Sequence, residues 1–165
     1  NGITPLVSAC SNGHDKVVQV LLDHGVQVDV QDKNGIIPLV SACSNGHDKV
    51  VQVLLDHGVQ VDVQDKNGII PLVSACSNGH DKVVQVLLDH GVQVDVQDKN
   101  GIIPLVSACS NGHDKVVQVL LDHGVQVDVQ DKNGITPLVS ACSNGHDKVV
   151  QVLLDHGVQV DVQDK

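Results

Sequence analysis

The sequence contains no aromatic residue and no methionine, and its charged side chains are all aspartate or lysine, without arginine or glutamate. Its 20 acidic and 10 basic residues give a formal net charge of −10 at pH 7 with histidine neutral. A surface of this sign repels phosphate groups. We therefore expect neither nucleic acid nor an anionic membrane among its partners.

Long apolar runs are also missing, although hydrophobic residues make up 41% of the chain. They form short groups, none of which approaches the roughly 20 residues of a transmembrane helix. No signal or transit segment is visible, and the absence of an initiating methionine suggests a trimmed chain or a removed tag. We expect a soluble protein of unknown localisation.

One 33-residue unit fills the chain and occurs five times. Repetition at this length is typical of stacked modules, so it takes precedence over the expectation of one ordinary globular domain. We predict a single array over residues 1–165. Its units are residues 1–33, 34–66, 67–99, 100–132 and 133–165.

Each unit contains one cysteine, and the spacing argues against disulfide bonds. Equivalent Cα atoms in units packed at helix distance lie about 8–10 Å apart, whereas a disulfide needs Cα atoms within about 7 Å. We predict reduced, small core residues in a reducing, cytoplasm-like environment. These residues are Cys10, Cys43, Cys76, Cys109 and Cys142.

The second unit predicts two short helices. The first begins near Pro38, because proline suits the first helical position, and it ends at Gly46, which can adopt a left-handed conformation. The second begins at residues 47–49 and ends at Gly58. Spacing predicts an apolar face of Leu39, Ala42 and Cys43 and a polar face of Ser41, Ser44 and Asn45 on the first helix.

Two further segments complete the unit. Asn34-Gly35 predicts a hairpin-like tip at the unit boundary, because both residues tolerate positive φ. Residues 59–63 alternate apolar and polar side chains, which predicts an extended segment. That alternation supports a rival interpretation, a strand of a β-solenoid or leucine-rich horseshoe, but two glycine-terminated helices per unit and the missing leucine-rich pattern oppose it.

These motifs resemble the ankyrin repeat. The resemblance rests on Gly-Ile-Thr-Pro-Leu in the first and last units, Gly-His before the second helix, the Val-Val-x-Val-Leu-Leu run and the closing Gly-Val-Gln-Val-Asp-Val. It covers all 165 residues. The family implies an all-α repeat solenoid of antiparallel helix pairs, with projecting hairpins and a concave side that usually binds other proteins.

The chain departs from the family pattern at two helix positions. Valine follows Pro-Leu where the family most often has histidine, and Ile37, Ile70 and Ile103 replace the threonine that remains as Thr4 and Thr136. Each replacement removes a helix cap worth about 1 kcal/mol. Our hypothesis is that isoleucine and valine form an apolar contact between units, and that threonine remains where no neighbouring unit covers the position.

The units are nearly identical, since they differ only by threonine or isoleucine at one position. Natural arrays vary because different units meet different partners. We interpret the chain as a designed or consensus ankyrin repeat protein, a scaffold of the protein-interaction type without a specific natural target. A recently duplicated natural segment is the alternative.

The resemblance implies that partners contact the hairpin tips and the exposed face of the first helices. A protein partner is expected there, although the sequence does not specify which. The corresponding residues are Gln31, Lys33, Asn34, Ile36, Ser44, Asn45, His57, Gln64, Lys66, Asn67, Ile69, Ser77, Asn78, His90, Gln97, Lys99, Asn100, Ile102, Ser110 and Asn111.

The terminal units keep the interior pattern almost unchanged, whereas solenoids normally end in units with a polar outer face. Two apolar, mutually complementary end faces make a contact that does not close on itself. The sequence therefore predicts head-to-tail stacking, and a self-assembling structural solenoid is the alternative function.

Histidines recur at 33-residue spacing in two series, from His14 to His146 and from His24 to His156. Cys10 and His14 have a helix-like ligand spacing, but Gly13 interrupts that helix and a structural zinc site needs four converging ligands. We interpret these histidines as structural or surface residues, with incidental metal binding as the alternative. Residues 29–35 resemble a calcium loop only superficially, because no glutamate closes it.

Catalysis is not expected either. Serine, cysteine, histidine and aspartate are present, but they recur five times at equal spacing, whereas a catalytic centre needs one asymmetric pocket. No phosphate-binding loop of the G-x-x-x-x-G-K type occurs. We predict a chain that is not an enzyme and that has no catalytic residue, metal site or cofactor.

Overall fold

A computed structural model describes residues 2–160, which form ten α-helices and no strand. Each helix contains seven to nine residues, too few for stability without packing. The helices are α1 (Pro5–Ser11), α2 (Asp15–Asp23), α3 (Pro38–Asn45), α4 (Asp48–Asp56), α5 (Pro71–Ser77), α6 (Asp81–Asp89), α7 (Pro104–Ser110), α8 (Asp114–Asp122), α9 (Pro137–Ser143) and α10 (Asp147–Asp155).

The helices form two layers. The odd-numbered helices pack in succession from α1 to α9, and the even-numbered helices pack in succession from α2 to α10. Within each unit the two helices also pack against each other. This serial stack of pairs is the all-α repeat solenoid that the family resemblance implied. The fold prediction is confirmed, and the strand interpretation is wrong for the described residues.

Proline and glycine set the helix ends as predicted. Pro38 occupies the first turn of α3, and Gly46 follows the helix with φ of 77°. Helix α4 ends at its C-cap His57, after which Gly58 adopts φ of 73°. A residue with a Cβ avoids this left-handed region, so each glycine stops its helix and allows the chain to reverse.

The core lies between the two layers and continues through every unit. Leu39, Ala42 and Cys43 are buried from α3, and Leu54 is buried from α4. Small residues on the odd-numbered helices allow close approach, while leucine and valine on the even-numbered helices fill the space. Each unit buries its apolar faces against its neighbours, so the stack is held together across unit boundaries.

Four of the five cysteines are buried, as predicted, and unpaired. Burial raises the pKa of the Cys10 and Cys109 thiols to about 12, because the low-dielectric core disfavours the thiolate. The prediction is wrong for Cys142, which is exposed. Within residues 2–160 no following unit packs against that face of α9.

The polar face predicted for the first helices is partly wrong. Ser41 is buried, as are the equivalent residues of the next three units. Its hydroxyl shares a hydrogen bond with the hydroxyl of Ser11 in the preceding unit, which satisfies it away from water. In contrast, Ser44 is half-buried and Asn45 is exposed.

The position before the helical proline differs between the units as expected. Thr4 caps α1 by accepting a hydrogen bond from the backbone N–H of Val7 at 3.1 Å. Ile70 makes no side-chain cap and is buried. However, Thr136 caps α9 and is also buried. The idea that threonine remains only where no neighbour covers it is therefore wrong for the last unit.

We expect Ile70→Thr to lower the free energy of unfolding by about 1 kcal/mol. The variant loses buried apolar surface worth about 1–2 kcal/mol and buries a hydroxyl, while a new cap returns about 1 kcal/mol. Urea denaturation measures the change. Ile70→Val has nearly the same shape as threonine without the hydroxyl, and it isolates the apolar loss. A rise in stability for Ile70→Thr would contradict the apolar role of Ile70.

Candidate interaction surface

Each described hairpin tip is organised by an aspartate. At the first tip, the Asp32 N–H donates to the Ile36 carbonyl, and the Asp32 carbonyl accepts from the Gly35 N–H. Its Oδ1 accepts from the N–H groups of Asn34 at 2.8 Å and Ile36 at 2.9 Å. Gly35 has φ of 75°, whereas no residue other than glycine has positive φ in the described chain. The predicted tip is present, but only its glycine uses a left-handed conformation.

Successive tips are joined through their backbones. The N–H of Lys66 donates to the carbonyl of Gly35 at 3.3 Å, and the N–H of Lys99 donates to that of Gly68 at 3.1 Å. A Cβ built on Gly35 would lie 2.6 Å from the Cβ of Lys66. Glycine therefore allows the tips to approach closely and form a continuous row.

The structure brings most of the predicted interaction residues into two rows, one along the tips and one along the odd-numbered helices. In the tip row, the glutamine, lysine and asparagine side chains are exposed, and Ile36 and Ile69 are half-buried while Ile102 is exposed. In the helix row, Asn45 is exposed, and its side-chain amide donates to the Ser41 carbonyl at 2.8 Å. The exposed residues in these rows are Gln31, Lys33, Asn34, Asn45, Gln64, Lys66, Asn67, Asn78, Gln97, Lys99, Asn100, Ile102 and Asn111, and the half-buried residues are Ile36, Ser44, Ile69, Ser77 and Ser110.

His57 and His90 do not join these rows. They cap the C-terminal ends of α4 and α6, and their ring partners lie on even-numbered helices. Both side chains belong to contacts between units in the second layer. Both residues are exposed, and their contribution to an interaction surface stays a prediction from the family resemblance.

The first histidine series links neighbouring units through the backbone. His47 Nε2 donates to the carbonyl of Ser11 in the preceding unit at 2.9 Å, so Nε2 carries the hydrogen. Its ring lies against Gly13, where an added Cβ would lie 2.5 Å from Nδ1. His80, His113 and His146 repeat this bond. We call it the backbone bridge.

The second series forms a side-chain contact that sequence reasoning missed. Gln19 Nε2 donates to Asp23 Oδ1 at 2.8 Å and lies 3.2 Å from Nε2 of His57 in the next unit. His57 Nδ1 lies 2.9 Å from the Val53 carbonyl. A carbonyl only accepts, so Nδ1 is the donor and the neutral ring accepts from Gln19 through Nε2.

The Gln19, Asp23 and His57 arrangement recurs at the next three boundaries, and we call it the side-chain bridge. Its equivalents join Gln52, Gln85 and Gln118 to the histidine of the following unit. Glutamine and aspartate four residues apart on a helix are neighbours. This spacing is the one local signal of the side-chain bridge in the sequence. The 38-residue separation of the histidine could not be read without the fold.

Protonation of His57 strengthens its contact with Asp23 in the side-chain bridge. The pKa of His57 is raised above its usual range, chiefly by its hydrogen bond to the Val53 carbonyl. Desolvation is the next-largest influence and opposes the rise, while Asp23 and Asp56 add smaller increases. His57 Nε2 lies 3.5 Å from Asp23 Oδ1. The charged ring therefore finds an aspartate partner where the neutral ring accepts from glutamine.

We expect the protein to be more stable near pH 6 than near pH 8, with His57 contributing to the difference. Because the pKa of His57 is raised in the folded state, its protonation stabilises the fold. This contribution is fully present below the pKa of histidine in the unfolded chain, about 6.5. That contribution is lost as the pH rises through the folded pKa. Urea denaturation at both pH values measures the difference, and His57→Gln should reduce it. An unchanged difference in His57→Gln would contradict this role.

No set of three or more histidine, cysteine or acidic residues is arranged to hold a metal ion within residues 2–160. In segment 29–35, which resembles a calcium loop superficially, Asp32 Oδ1 accepts hydrogen bonds from two backbone N–H groups of the tip. This oxygen therefore stabilises the turn.

Two shallow grooves occur at equivalent positions two units apart. One, of about 590 Å³, lies between segments 58–64 and 91–97, and the other, of about 560 Å³, lies between segments 124–128 and 156–159. Valine, glycine and glutamine are shared by both linings. These grooves follow from the repeat and do not form one distinctive pocket.

Among the described residues, no helix is both long and apolar enough to cross a membrane. The family model described as "Ankyrin repeats (3 copies)" matches residues 1–65 and 72–164. A comparison with curated proteins finds no match to this chain.

Proposed function

The chain belongs to the ankyrin repeat family, whose repeats are generally protein-interaction modules, and from this premise we propose that it is a non-catalytic protein-binding scaffold. We propose further that it is a designed or consensus array without a specific natural target. Residues 1–165 form one array in this proposal, with units 1–33, 34–66, 67–99, 100–132 and 133–165.

One observation carries the scaffold proposal: the exposed residues of the tips and odd-numbered helices are separate from the residues that hold the fold. At the third tip, Asp98 is buried and receives the backbone N–H groups of Asn100 and Ile102. Lys99 and Asn100 are exposed beside it. Exposed residues on a surface of this kind can be substituted while the residues of the turn and the core stay unchanged.

The designed origin is supported by the sameness of this surface. Every described inner tip has the same lysine and asparagine, and every first helix has the same serine and asparagine. A surface fitted to one partner needs different residues at its centre and rim. Identical units offer the same contact repeatedly, as expected for a scaffold before residues are chosen for a target.

A selection experiment tests the scaffold proposal. Lys66, Asn67 and Asn78 are randomised together with their equivalents 33 residues further along, which are Lys99, Asn100 and Asn111, and variants are selected against a folded protein target. We expect binders with Kd of about 1 μM or tighter that keep the parent helical circular dichroism, while the parent does not bind. Randomising the tip aspartates Asp65 and Asp98, whose Oδ1 atoms accept from two backbone N–H groups each, is the control, and it should destabilise the fold. Failure to obtain folded binders would contradict the proposal.

Self-assembly is the second candidate, and the end faces support it. In α2, Val17 is 50% exposed, whereas its equivalent Val50 is fully buried by the preceding unit. In α10, Leu154 is 36% exposed, whereas its equivalent Leu121 is 8% exposed. The two end faces carry the residues that pack together at every inner boundary. A second copy of this chain would therefore fit these faces, as would a further unit of the same array.

Sedimentation velocity and light scattering across a range of concentrations test self-assembly of the 165-residue chain. We expect the mean mass to rise with concentration without reaching a closed oligomer, because a head-to-tail contact regenerates itself. A strict monomer at high concentration would rule this candidate out. That result would leave the scaffold proposal intact, since the selection experiment tests it separately.

A further inference from the structure

The hairpin tips carry a row of lysines, one at each tip. These residues are Lys33, Lys66, Lys99 and Lys132, and all of them are exposed. Within residues 2–160 none of them forms an ion pair, since the ion pairs of that part of the chain all join histidine to aspartate. We call these four residues the lysine row.

The glycine of the preceding tip lies under each lysine stem. A Cβ built on Gly35 would lie 2.5 Å from Cδ and 2.6 Å from Cβ of Lys66, so this stem runs directly over the glycine. The lysines of the next two tips lie over the preceding glycines in the same way. A stem that is already held loses less conformational freedom when its ammonium group binds a partner.

The aspartate beside each lysine is already used by the turn. Asp98 is buried, and its Oδ1 accepts hydrogen bonds from the N–H groups of Asn100 at 2.8 Å and Ile102 at 2.9 Å. The same pair of bonds is made by Asp32, Asp65 and Asp131. The lysine row is therefore a local row of positive charge on a chain whose formal net charge is −10.

The spacing of the lysine row matches a polyproline II helix. Neighbouring units stack at the helix-packing distance of about 8–10 Å, and the Lys66 N–H donates to the Gly35 carbonyl at 3.3 Å, which keeps successive tips in step. A polyproline II helix has three residues per turn, so every third side chain points the same way at intervals of about 9 Å. In a β-strand, by contrast, side chains three residues apart point to opposite faces.

An α-helix also repeats one face about every 10 Å, but only once in seven residues. Its backbone groups bond to each other, whereas a polyproline II helix leaves its carbonyls free. Beside the lysines, the exposed Asn34 and Asn67 have side-chain amides that can donate to such carbonyls. The half-buried Ile36 and Ile69 offer apolar contacts to proline rings. These neighbouring residues favour polyproline II over an α-helix.

We propose that the lysine row binds a polyproline II segment of another protein that carries an acidic residue at every third position. This inference rests on the proposed scaffold function, because it names the class of segment that the unvaried tips receive. Each carboxylate meets one lysine, and the intervening prolines contact the tip isoleucines. The net charge of −10 repels acidic partners at long range, but salt at about 0.1 M screens this repulsion beyond about 10 Å.

Fluorescence anisotropy with a labelled peptide of four Glu-Pro-Pro triplets tests the proposal at about 0.1 M salt. A control peptide has the same composition with its glutamates in one block. The triplet peptide should bind about tenfold more tightly, because a block aligns fewer carboxylates with the lysines. A helical peptide with glutamate at every seventh residue should also bind more weakly than the triplet peptide.

Two double variants locate the site on the protein. Lys66→Gln with Lys99→Gln should weaken binding of the triplet peptide about tenfold, at about threefold for each exposed ion pair. Lys82→Gln with Lys115→Gln is the matched control, because these lysines are also exposed and one unit apart but lie on α6 and α8. The control should change binding by less than about twofold. Circular dichroism verifies that both variants remain folded.

Four results would overturn this inference. They are equal binding of the triplet and block peptides, tighter binding of the helical peptide, equal losses in the two double variants, and no binding of the triplet peptide by the parent. None of them contradicts the scaffold proposal, because the selection of randomised tips tests that proposal with a different target.

Discussion

Replacing Leu87 by alanine is expected to lower the free energy of unfolding by about 3–4 kcal/mol, which is the largest change among the single variants considered. Leu87 lies on α6 in the central unit, and its side chain is fully buried in the continuous core. Removing three carbon atoms there loses transfer free energy and leaves a cavity. The adjacent helices α4 and α8 are held by their own neighbours, which limits collapse into it.

Urea denaturation of Leu87→Ala and the parent measures this loss. Leu154→Ala is the matched control, because Leu154 is also an even-helix leucine but is 36% exposed on the end face. Its replacement should cost less than half as much, since less area returns to water and no closed cavity forms. Equal losses at the two positions would contradict the placement of the core. Both variants should be compared below the concentration at which the parent associates.

Replacing Gly79 by alanine is expected to lower the free energy of unfolding by about 2–3 kcal/mol. Gly79 has φ of 77°, a conformation that costs a residue with a Cβ about 1–2 kcal/mol. The added Cβ would also lie 2.5 Å from Nδ1 of His113. The ring must move, and the bridge from its Nε2 to the Ser77 carbonyl is then lost, at a further cost of about 1 kcal/mol.

Gly91→Ala separates the two costs. Gly91 has φ of 78°, almost the same backbone conformation, but an added Cβ would have no atom within 4 Å. It should therefore lose only the backbone part, about 1–2 kcal/mol. Urea midpoints of the two variants give the value of the contact with His113. Equal destabilisation would show that the histidine bridge adds nothing measurable.

The local structure could be predicted because its signals are local. Pro38 defines the start of α3, and Gly46 and Gly58 stop the two helices of that unit, since each residue restricts or extends φ in a known way. The layered solenoid followed from the 33-residue period and the resemblance to a known family. The tip also followed from its Asn-Gly pair, although the asparagine does not adopt positive φ.

Contacts between units could not be predicted, because they join residues about 30 to 38 positions apart. The burial of Ser41 depends on the hydroxyl of Ser11 in another unit, and helix periodicity assigned it to the wrong face. The role of His57 depends on Gln19 and Asp23. Cys142 shows the same dependence, because its sequence environment equals that of four buried cysteines, yet it is exposed where no following unit packs against it in the described residues.

For the same reason, the positions of the predicted interaction residues could be derived from the sequence only in part. Family resemblance identified Lys66 and Asn67 as exposed tip residues, and the structure gives both high exposure. It also included His57 and His90, which the structure places in bridges between second-layer helices. A set of positions taken from a family therefore needs the contacts of this chain before residues are chosen for variation.

The central claim is that stability and surface both arise from one boundary between identical units, repeated along the stack. Urea unfolding of chains with three, four, five and six units tests it most directly. In such an array each added unit contributes its own folding term and one boundary term. We predict that the urea midpoint and the m-value both rise with every unit added, measured at low concentration and pH 8. A midpoint that stays constant as units are added would contradict the account.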